Sequence, residues 1–320
     1  MKILITGVAG FIGFNLAKHL LEIDKKVKII GIDILNNYYS IKLKKSRLNN
    51  LRGKKFTFLK IDICNKKILD KVFKKHKPDV VINLAAQAGV RYSVEHPGKY
   101  IDANVVGYFN ILDLSKKYKI KKILYASSSS VYGENKVFPL SEKTIINPKN
   151  IYALTKKFDE EVSEIYSNFY NMKIVGLRFF TVYGEWGRPD MFFFKYLFAS
   201  KFKKIFYLNN YGNHTRDFTY VGDVVKIIYK LIKKDTKKMH DIFNISSNTP
   251  VKLKEVIKQL NRYVKKPSII KRKFQRADVI KTHGDNKKIT LFTKYYKFEK
   301  IENGIKKTAL WFLNNSKIFK

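Results

Sequence analysis

Residues 2–13 read KILITGVAGFIG, and this stretch decides the fold of the N-terminal half. The apolar run before Gly7 has the character of a short buried strand, and the segment from Phe11 to about residue 24 carries helical periodicity. Between the two stand Gly7, Gly10 and Gly13. Glycines at a strand-to-helix turn permit a tight bend and let backbone N–H groups at a helix N-terminus approach a pyrophosphate. Gly7, Gly10, Phe11, Ile12 and Gly13 are therefore the expected cofactor-facing residues of the turn. Asp33 closes the next apolar run, where a carboxylate accepts both hydroxyls of an adenosine ribose and repels a 2′-phosphate. NAD is expected over NADP.

Outward from this unit, short β-branched runs alternate with helix-period segments, the pattern of a doubly wound parallel sheet. Strands are predicted near 2–6, 27–32, 56–61, 79–84, 122–127 and 173–178, with helices near 11–24, 65–75, 98–118 and 150–171. Beyond residue 180 the regularity loosens, with helices near 190–203, 221–234, 252–265 and 300–315. The expected class is α/β, a Rossmann-type doubly wound parallel sheet with a smaller C-terminal substrate-binding lobe. Residues 1–180 with a return segment about 215–245 form the first unit; 181–214 and 246–320 form the lobe. "IDI" at 61–63 and "LAAQAG" at 84–89 follow two strands, at the edge where dinucleotides sit. That places Asp62 and Ile63 toward the adenine, and Leu84, Ala85 and Ala86 where small side chains let the cofactor lie close.

Composition narrows the function. A chain of 320 residues with 45% hydrophobic content can bury a sizeable core. The formal charge of +39 raises nucleic acid as a partner. Its lysines, however, are spread over nearly every helix and loop ("KKSRLNNLRGKK", "KKYKIKK", "KKDTKK"), as solvated faces are, so no nucleic-acid function is expected. Cys64 is the single cysteine, so no disulfide forms within the chain and a reducing compartment, the cytoplasm, is expected. The N-terminus lacks the small-residue cleavage pattern of a signal peptide, and no apolar run is long enough for a membrane span. No metal site is expected.

The second chemical motif is Tyr152 with Lys156, in "IYALTKK", four apart and so on one helix face. An ammonium beside a phenol, with the positive nicotinamide ring nearby, favours the phenolate and so a base near neutral pH. The pair is common by itself; its position after "YASSSSVYG" (125–133) in a nucleotide-binding fold gives it weight.

Together these residues resemble the extended short-chain dehydrogenase/reductase family, the nucleotide-sugar epimerases and dehydratases. The likeness spans almost the whole chain, through "TGVAGFIG", "LAAQAG", "YIDANVVGYFNIL", the serine run, "LRFFTVYG" and "RDFTYVGDVV". The resemblance implies that Ser128 hydrogen-bonds the sugar O4 and the base Tyr152, beside Lys156. It also implies that Asn104 and Ser127 belong to the NAD site. Ser129 and Ser130 would add donors toward the pyranose, or else cap local backbone groups. Similar 4,6-dehydratases carry an Asp-Glu pair at those two positions, so dehydration is not expected here.

As a set, "DILNNYYSIKLKKSRL", "AAQAGVRYSVEHP", "LRFFTVYGEWGRPDM" and "YGNHTRDFTYV" resemble the branch that epimerises UDP-glucuronate. A uronate needs a recognised carboxylate; Thr181 offers a hydroxyl and Arg188 a charged fork, with Arg91 a second candidate. Arg188 could instead pair with Asp190 or Glu185 and pin its loop. The resemblance further places Arg216 on the diphosphate and Asp278 on the uridine ribose, with Arg276 either a further phosphate contact or plain surface. It implies a redox-neutral inversion at C4: Tyr152 takes the hydroxyl proton, a hydride moves to NAD and returns to the other face of a 4-keto sugar. Holding the carboxylate near the carbonyl plane, the task expected of Thr181 and Arg188, suppresses loss of carbon dioxide. A UDP-glucose 4-epimerase, a UDP-glucuronate decarboxylase of the same fold, or a nucleotide sensor without catalysis are the alternatives. Helices near 98–118 and 150–171 commonly pair in homodimers of this family; Val105, Phe109, Leu112, Val162, Ile165 and Phe169 would serve that face or the monomer core.

Overall fold

The computed structural model describes residues 1–275 and 278–319; Arg276 lies outside the described residues. In chain order the first half comprises β1 (Lys2–Thr6), α1 (Phe11–Ile23), β2 (Lys28–Asp33), α2 (Ile41–Asn49), β3 (Phe56–Lys60), α3 (Lys66–His76), β4 (Val80–Asn83), α4 (Tyr92–Glu95), α5 (Pro97–Tyr100), a π-helical segment Ile101–Val106, α6 (Gly107–Lys117) and β5 (Lys122–Ser128). A 3₁₀ turn, Ser129–Tyr132, leads toward α7 (Ile151–Tyr170), β6 (Lys173–Phe179), β7 (Thr181–Tyr183), α8 (Phe192–Lys201), β8 (Phe206–Asn209), β9 (Thr215–Tyr220) and α9 (Val221–Lys233). The chain ends with β10 (His240–Ile245), β11 (Pro250–Lys252), α10 (Leu253–Leu260), β12 (Ile269–Arg272), α11 (Lys287–Thr293) and α12 (Ile301–Asn315).

Among the described residues, seven strands form one parallel sheet in the order β10-β6-β5-β4-β1-β2-β3. Alternate residues feed opposite faces, as the two-residue period of a strand requires. Ile3 and Ile5 of β1, with Val80 and Ile82 of β4, enter one apolar cluster with Phe14 and Leu20 of α1 and Ile228 of α9. Leu4, Val81 and Ile123 enter the other, with Phe73 of α3 and Ile111 of α6. Burial on both faces is why these strands read as unbroken apolar runs. Strand order reverses between β1 and β4, and the crevice outside their carboxyl ends is where such sheets bind ligands.

A smaller sheet, β11-β9-β7, and the pair β12-β8 surround a third apolar cluster built from α8, α10 and α12, including Phe193, Leu197, Phe218, Val256 and Phe312. The fold departs from expectation in specific ways. The helix expected over 98–118 is α5, the π-helical segment and α6 in succession. The helix expected over 252–265 ends at Leu260. Sequence periodicity also missed α2, α11 and every strand after β6. β9 shows why: Asp217, at its centre, is fully buried and accepts from Gly284 N, Ser247 N and Ser247 Oγ at 3.0, 3.0 and 2.8 Å. Its polar core breaks the apolar alternation that marks a strand.

Candidate active site

The carboxyl ends of β1, β4, β5 and β6 open onto a cavity of about 560 Å³. Gly7 turns the chain there at φ 67°, and a Cβ on it would lie 2.7 Å from Ala85 N. A Cβ at Gly13 would overlap the Gly7 carbonyl oxygen. No side chain caps the N-terminus of α1 at Gly10, so its first-turn amides stay available to a ligand in the crevice. Asp33 accepts from Ala9 N at 3.1 Å and Leu35 N at 2.8 Å, which aims the carboxylate over the glycine turn. Burial pushes its pKa upward, against those two amides and the charges of Lys44 and Arg47. A pyrophosphate fits the glycine cradle, and a ribose fits the remaining lone pairs of Asp33.

The structure brings most of the expected residues together. Gly7, Gly10, Phe11, Ile12, Gly13, Asp33, Asp62, Ile63, Leu84, Ala85, Ala86, Ser127, Ser128, Ser129, Ser130, Tyr152, Lys156, Thr181 and Arg188 all line this one cavity. α7 presents Tyr152 and Lys156 from one face, its N-terminus fixed by Asn150, whose side chain accepts from Ala153 N at 2.9 Å. The Tyr152 ring packs against Tyr100, centroids 6.1 Å apart, and Tyr100 donates to the Gly89 carbonyl at 2.5 Å. Lys156 is buried and its ammonium lies 2.8 Å from Asp159 Oδ2. Burial holds the Asp159 carboxyl above the usual carboxylate range, with Lys156 opposing.

The serine run divides its labour. Ser128 Oγ accepts from Ser130 N at 3.2 Å and lies 3.1 Å from Ser130 Oγ, so it caps the 3₁₀ turn while facing the cavity. The local capping expected as an alternative role of Ser129 and Ser130 is made here by Ser128 instead. Ser127 borders the cavity, and its hydroxyl donates to Glu160 Oε1 at 2.6 Å. Asn104 holds a different position. It is buried outside the lining, bonded to Gln87 N and O at 2.8 and 3.1 Å and to Thr155 Oγ1 at 2.9 Å, so it braces the loop after β4 against α7.

The expected cations are also placed. Arg188 lines the cavity with Asp190 held by Nε and Nη2 at 2.9 and 2.5 Å, and Tyr38 donates to the same carboxylate at 3.2 Å. The ion pair foreseen as its alternative therefore exists, and it leaves the Nη1 side of the guanidinium uncommitted to Asp190. Arg91, Arg216 and Asp278 do not line the cavity. Arg91 pairs with Asp278 at 2.6 Å, and Arg216 donates to the carbonyls of Thr215, Val279 and Ile280 at 2.9, 2.7 and 2.9 Å. A guanidinium among backbone carbonyls is satisfied locally, which removes the need for a ligand phosphate to explain it.

Two residues at this site went unnoticed in the sequence. Lys44 lines the cavity, donates to Asn36 O and Oδ1 at 2.7 Å each, and burial draws its pKa down to about 8. Arg47 is fully buried and bridges the Ala9 carbonyl (2.8 Å) in the glycine turn to the Trp186 and Gly187 carbonyls (2.5 and 3.2 Å) just before Arg188. Their helical spacing with Leu48 and Leu51 was the available signal, hidden in a lysine-rich segment.

The profile of the NAD dependent epimerase/dehydratase family matches residues 3–246, the span that holds the glycine turn, Asp33 and the Tyr152–Lys156 pair. The chain belongs to this family. Among its relatives is CapI of Staphylococcus aureus, 42% identical over 331 residues, with 98% of each chain covered. A UDP-glucuronate 4-epimerase of Thermodesulfobacterium geofontis is 37% identical over 326 residues, covering 99% of this chain and 98% of the relative. A solved UDP-glucuronic acid 4-epimerase of Bacillus cereus, in complex with UDP-glucuronic acid and NAD, aligns with a TM-score of 0.93 at 29% identity, covering 98% of this chain and all of that one. The family's NAD is the cofactor that the glycine cradle, the uncapped α1 amides and Asp33 are built to hold.

Proposed function

We propose that this protein is an NAD-dependent 4-epimerase that interconverts UDP-glucuronate and UDP-galacturonate. The observation that carries the reading is the presence of Arg188 and Thr181 in the wall of the same cavity as Ser128, Tyr152 and Lys156. A guanidinium and a hydroxyl facing a proton-transfer set suit a sugar with a carboxylate. NAD, when bound, would supply the acceptor for the C4 hydride and its later donor. The chain's own groups do the rest. Tyr152 removes the proton from the C4 hydroxyl and gives it back, and Ser128 hydrogen-bonds O4. Lys156 supplies the positive charge that favours the phenolate. Thr181 and the free side of Arg188 fix the substrate carboxylate near the plane of the transient C4 carbonyl, where its bond to C5 has little overlap with the π system.

Residues 1–180 with 215–245 form the NAD unit in this reading, and 181–214 with 246–320 the substrate lobe. Arg91 and Arg216 from the NAD unit and Asp278 from the lobe engage UDP if their present local partners exchange for it. Incubation of the purified protein with UDP-glucuronate, followed by separation of the sugar nucleotides, tests the activity. UDP-galacturonate without UDP-pentose is the expected product; an unchanged substrate removes the reading, and a pentose converts it to the decarboxylase.

The proposed setting is a cytoplasmic homodimer that supplies precursors of surface polysaccharide. No described helix is long and apolar enough to cross a membrane. Phe109 of α6 and Ile165 and Phe169 of α7 are exposed, Phe169 by 80%, whereas Leu112 is buried in the monomer core. These exposed residues support pairing of α6 and α7 with a second copy. A Phe169→Glu variant that stays dimeric by light scattering rejects that interface.

A further inference from the structure

α7 carries a third ionisable residue on the face that presents Tyr152 and Lys156, at the i+7 position from the tyrosine. Asp159 Oδ2 lies 2.8 Å from Lys156 Nζ, and the two side chains are 1% and 2% exposed. Its other oxygen, Oδ1, is buried with no hydrogen-bond partner. A buried ion pair that serves only packing needs its remaining lone pairs satisfied to offset desolvation. This one is left half-satisfied at Asp159, two helical turns from the proposed base.

The surroundings of Asp159 isolate its effect. Glu160, on the same helix, is neutralised by two hydrogen bonds from Arg178 of β6. Tyr108 of α6 and Tyr125 of β5 also face this region, and burial pushes both hydroxyls far above their ordinary range, so they act as dipoles. The Asp159 carbonyl accepts from Ser163 Oγ at 2.5 Å, which fixes the backbone and leaves the carboxylate to Lys156.

We propose that Asp159 is a positioning residue of the reaction, the buried counter-ion that sets how much of the Lys156 positive field reaches the Tyr152 hydroxyl. An ammonium alone acts on the phenol as a full charge. The same ammonium with a carboxylate in contact acts as a dipole, whose field falls off faster with distance. Ionised Asp159 therefore weakens the support that Lys156 gives the phenolate, and a neutral partner restores it. The inference rests on Tyr152 being the base of the proposed function.

The test is Asp159→Asn in the NAD-loaded protein, which keeps shape and an acceptor oxygen and removes the charge. Two measurements are compared with wild type: the acid limb of kcat/KM against pH with UDP-glucuronate, and the ultraviolet titration of the phenolate, each protein minus its Tyr152→Phe counterpart. Both are expected to move to lower pH, on the order of one pH unit, with NAD still retained. Asp159→Ser, smaller and also neutral, is expected to shift them the same way, so a folding defect in one variant does not hide the effect. A limb and a phenolate titration that stay in place, or move to higher pH, overturn the proposal. The phenolate titration needs no turnover: its shift in a protein inert toward UDP-glucuronate supports the role of Asp159 and strikes only the substrate assignment.

Discussion

Arg178 on β6 grips both oxygens of Glu160 on α7, with Nε and Nη2 donating at 2.8 and 2.7 Å, and the pair is almost fully buried. Its third nitrogen donates to the Tyr132 hydroxyl at 2.9 Å, and Ser127 donates to the same Glu160 at 2.6 Å. α7 is thus tied to the strand and the serine run beside it. Arg178→Met leaves Glu160 charged and unpaired in the interior, so urea denaturation should show a loss of about 3–5 kcal/mol. Glu160→Gln, which retains one acceptor, should cost less, and equal losses would contradict this account.

The glycine turn sets a steric limit on the cofactor cradle. Gly13→Ala forces a methyl group onto the Gly7 carbonyl oxygen, and the turn must open to accommodate it. Protein purified from this variant should carry less NAD, with affinity reduced about tenfold or more, a difference of ~1.4 kcal/mol. Fluorescence titration with NADH measures it, and wild-type affinity would refute the close approach.

Arg188→Gln removes the charge from the cavity wall but keeps a polar side chain of similar length. The expected result is a rise in KM for UDP-glucuronate of about 10- to 100-fold, the worth of a charge-assisted hydrogen bond. KM for UDP-glucose should stay near its starting value. A pentose product should appear as the carboxylate loses its orientation. Chromatography of the sugar nucleotides reads both effects at once.

Arg47→Met withdraws the donors from the carbonyls of Ala9, Trp186 and Gly187, all bonded to its guanidinium. Buried acceptors without donors cost about 1–3 kcal/mol each where water cannot reach them, so this variant should be less stable by at least ~2 kcal/mol in urea. Proteolysis should cut first within residues 184–190. Cleavage elsewhere would show that the loop has other anchors.

His240 lies 3.1 Å from the Tyr125 hydroxyl with the rings stacked, and burial draws its pKa down to about 4 from 6.5. Between those values the unfolded chain binds more protons than the folded one, so this residue makes stability rise with pH. Its contribution is complete above pH 6.5 and is lost as pH falls toward 4. Between about pH 7.5 and about pH 5 wild type should lose roughly 1–2 kcal/mol more than His240→Gln does. Identical slopes in the two proteins would remove His240 as the cause.

Much of the site was legible because its chemistry is local in sequence. The glycine turn, Asp33 at the end of β2 and the four-residue spacing of Tyr152 and Lys156 each follow from one strand or one helix. What escaped depends on contacts between distant segments. Asp159 sits in "KKFDEEVSE", which reads as a solvated charged face until tertiary packing buries it. Arg47 belongs to a helix with few apolar residues, and only its distant partners, the glycine turn and the loop around Trp186, explain its depth. Asn104 was placed on the cofactor through resemblance alone, whereas its π-helical segment turns it toward Gln87 and Thr155. Arg91 and Arg216 are cations of the expected kind, satisfied by Asp278 and by carbonyls that no spacing rule reveals.

Tyr132, just past the serines, donates to Asn244 Oδ1 at 2.7 Å, and Asn244 Nδ2 reaches back to the Leu140 carbonyl at 2.8 Å. Asn244 belongs to β10, the edge strand contributed by the last quarter of the chain. During synthesis, then, the support behind the serine turn waits for residues that leave the ribosome long after Tyr152 has emerged. A nascent polypeptide halted before that strand would own every chemical group of the reaction and still lack the brace that aligns them.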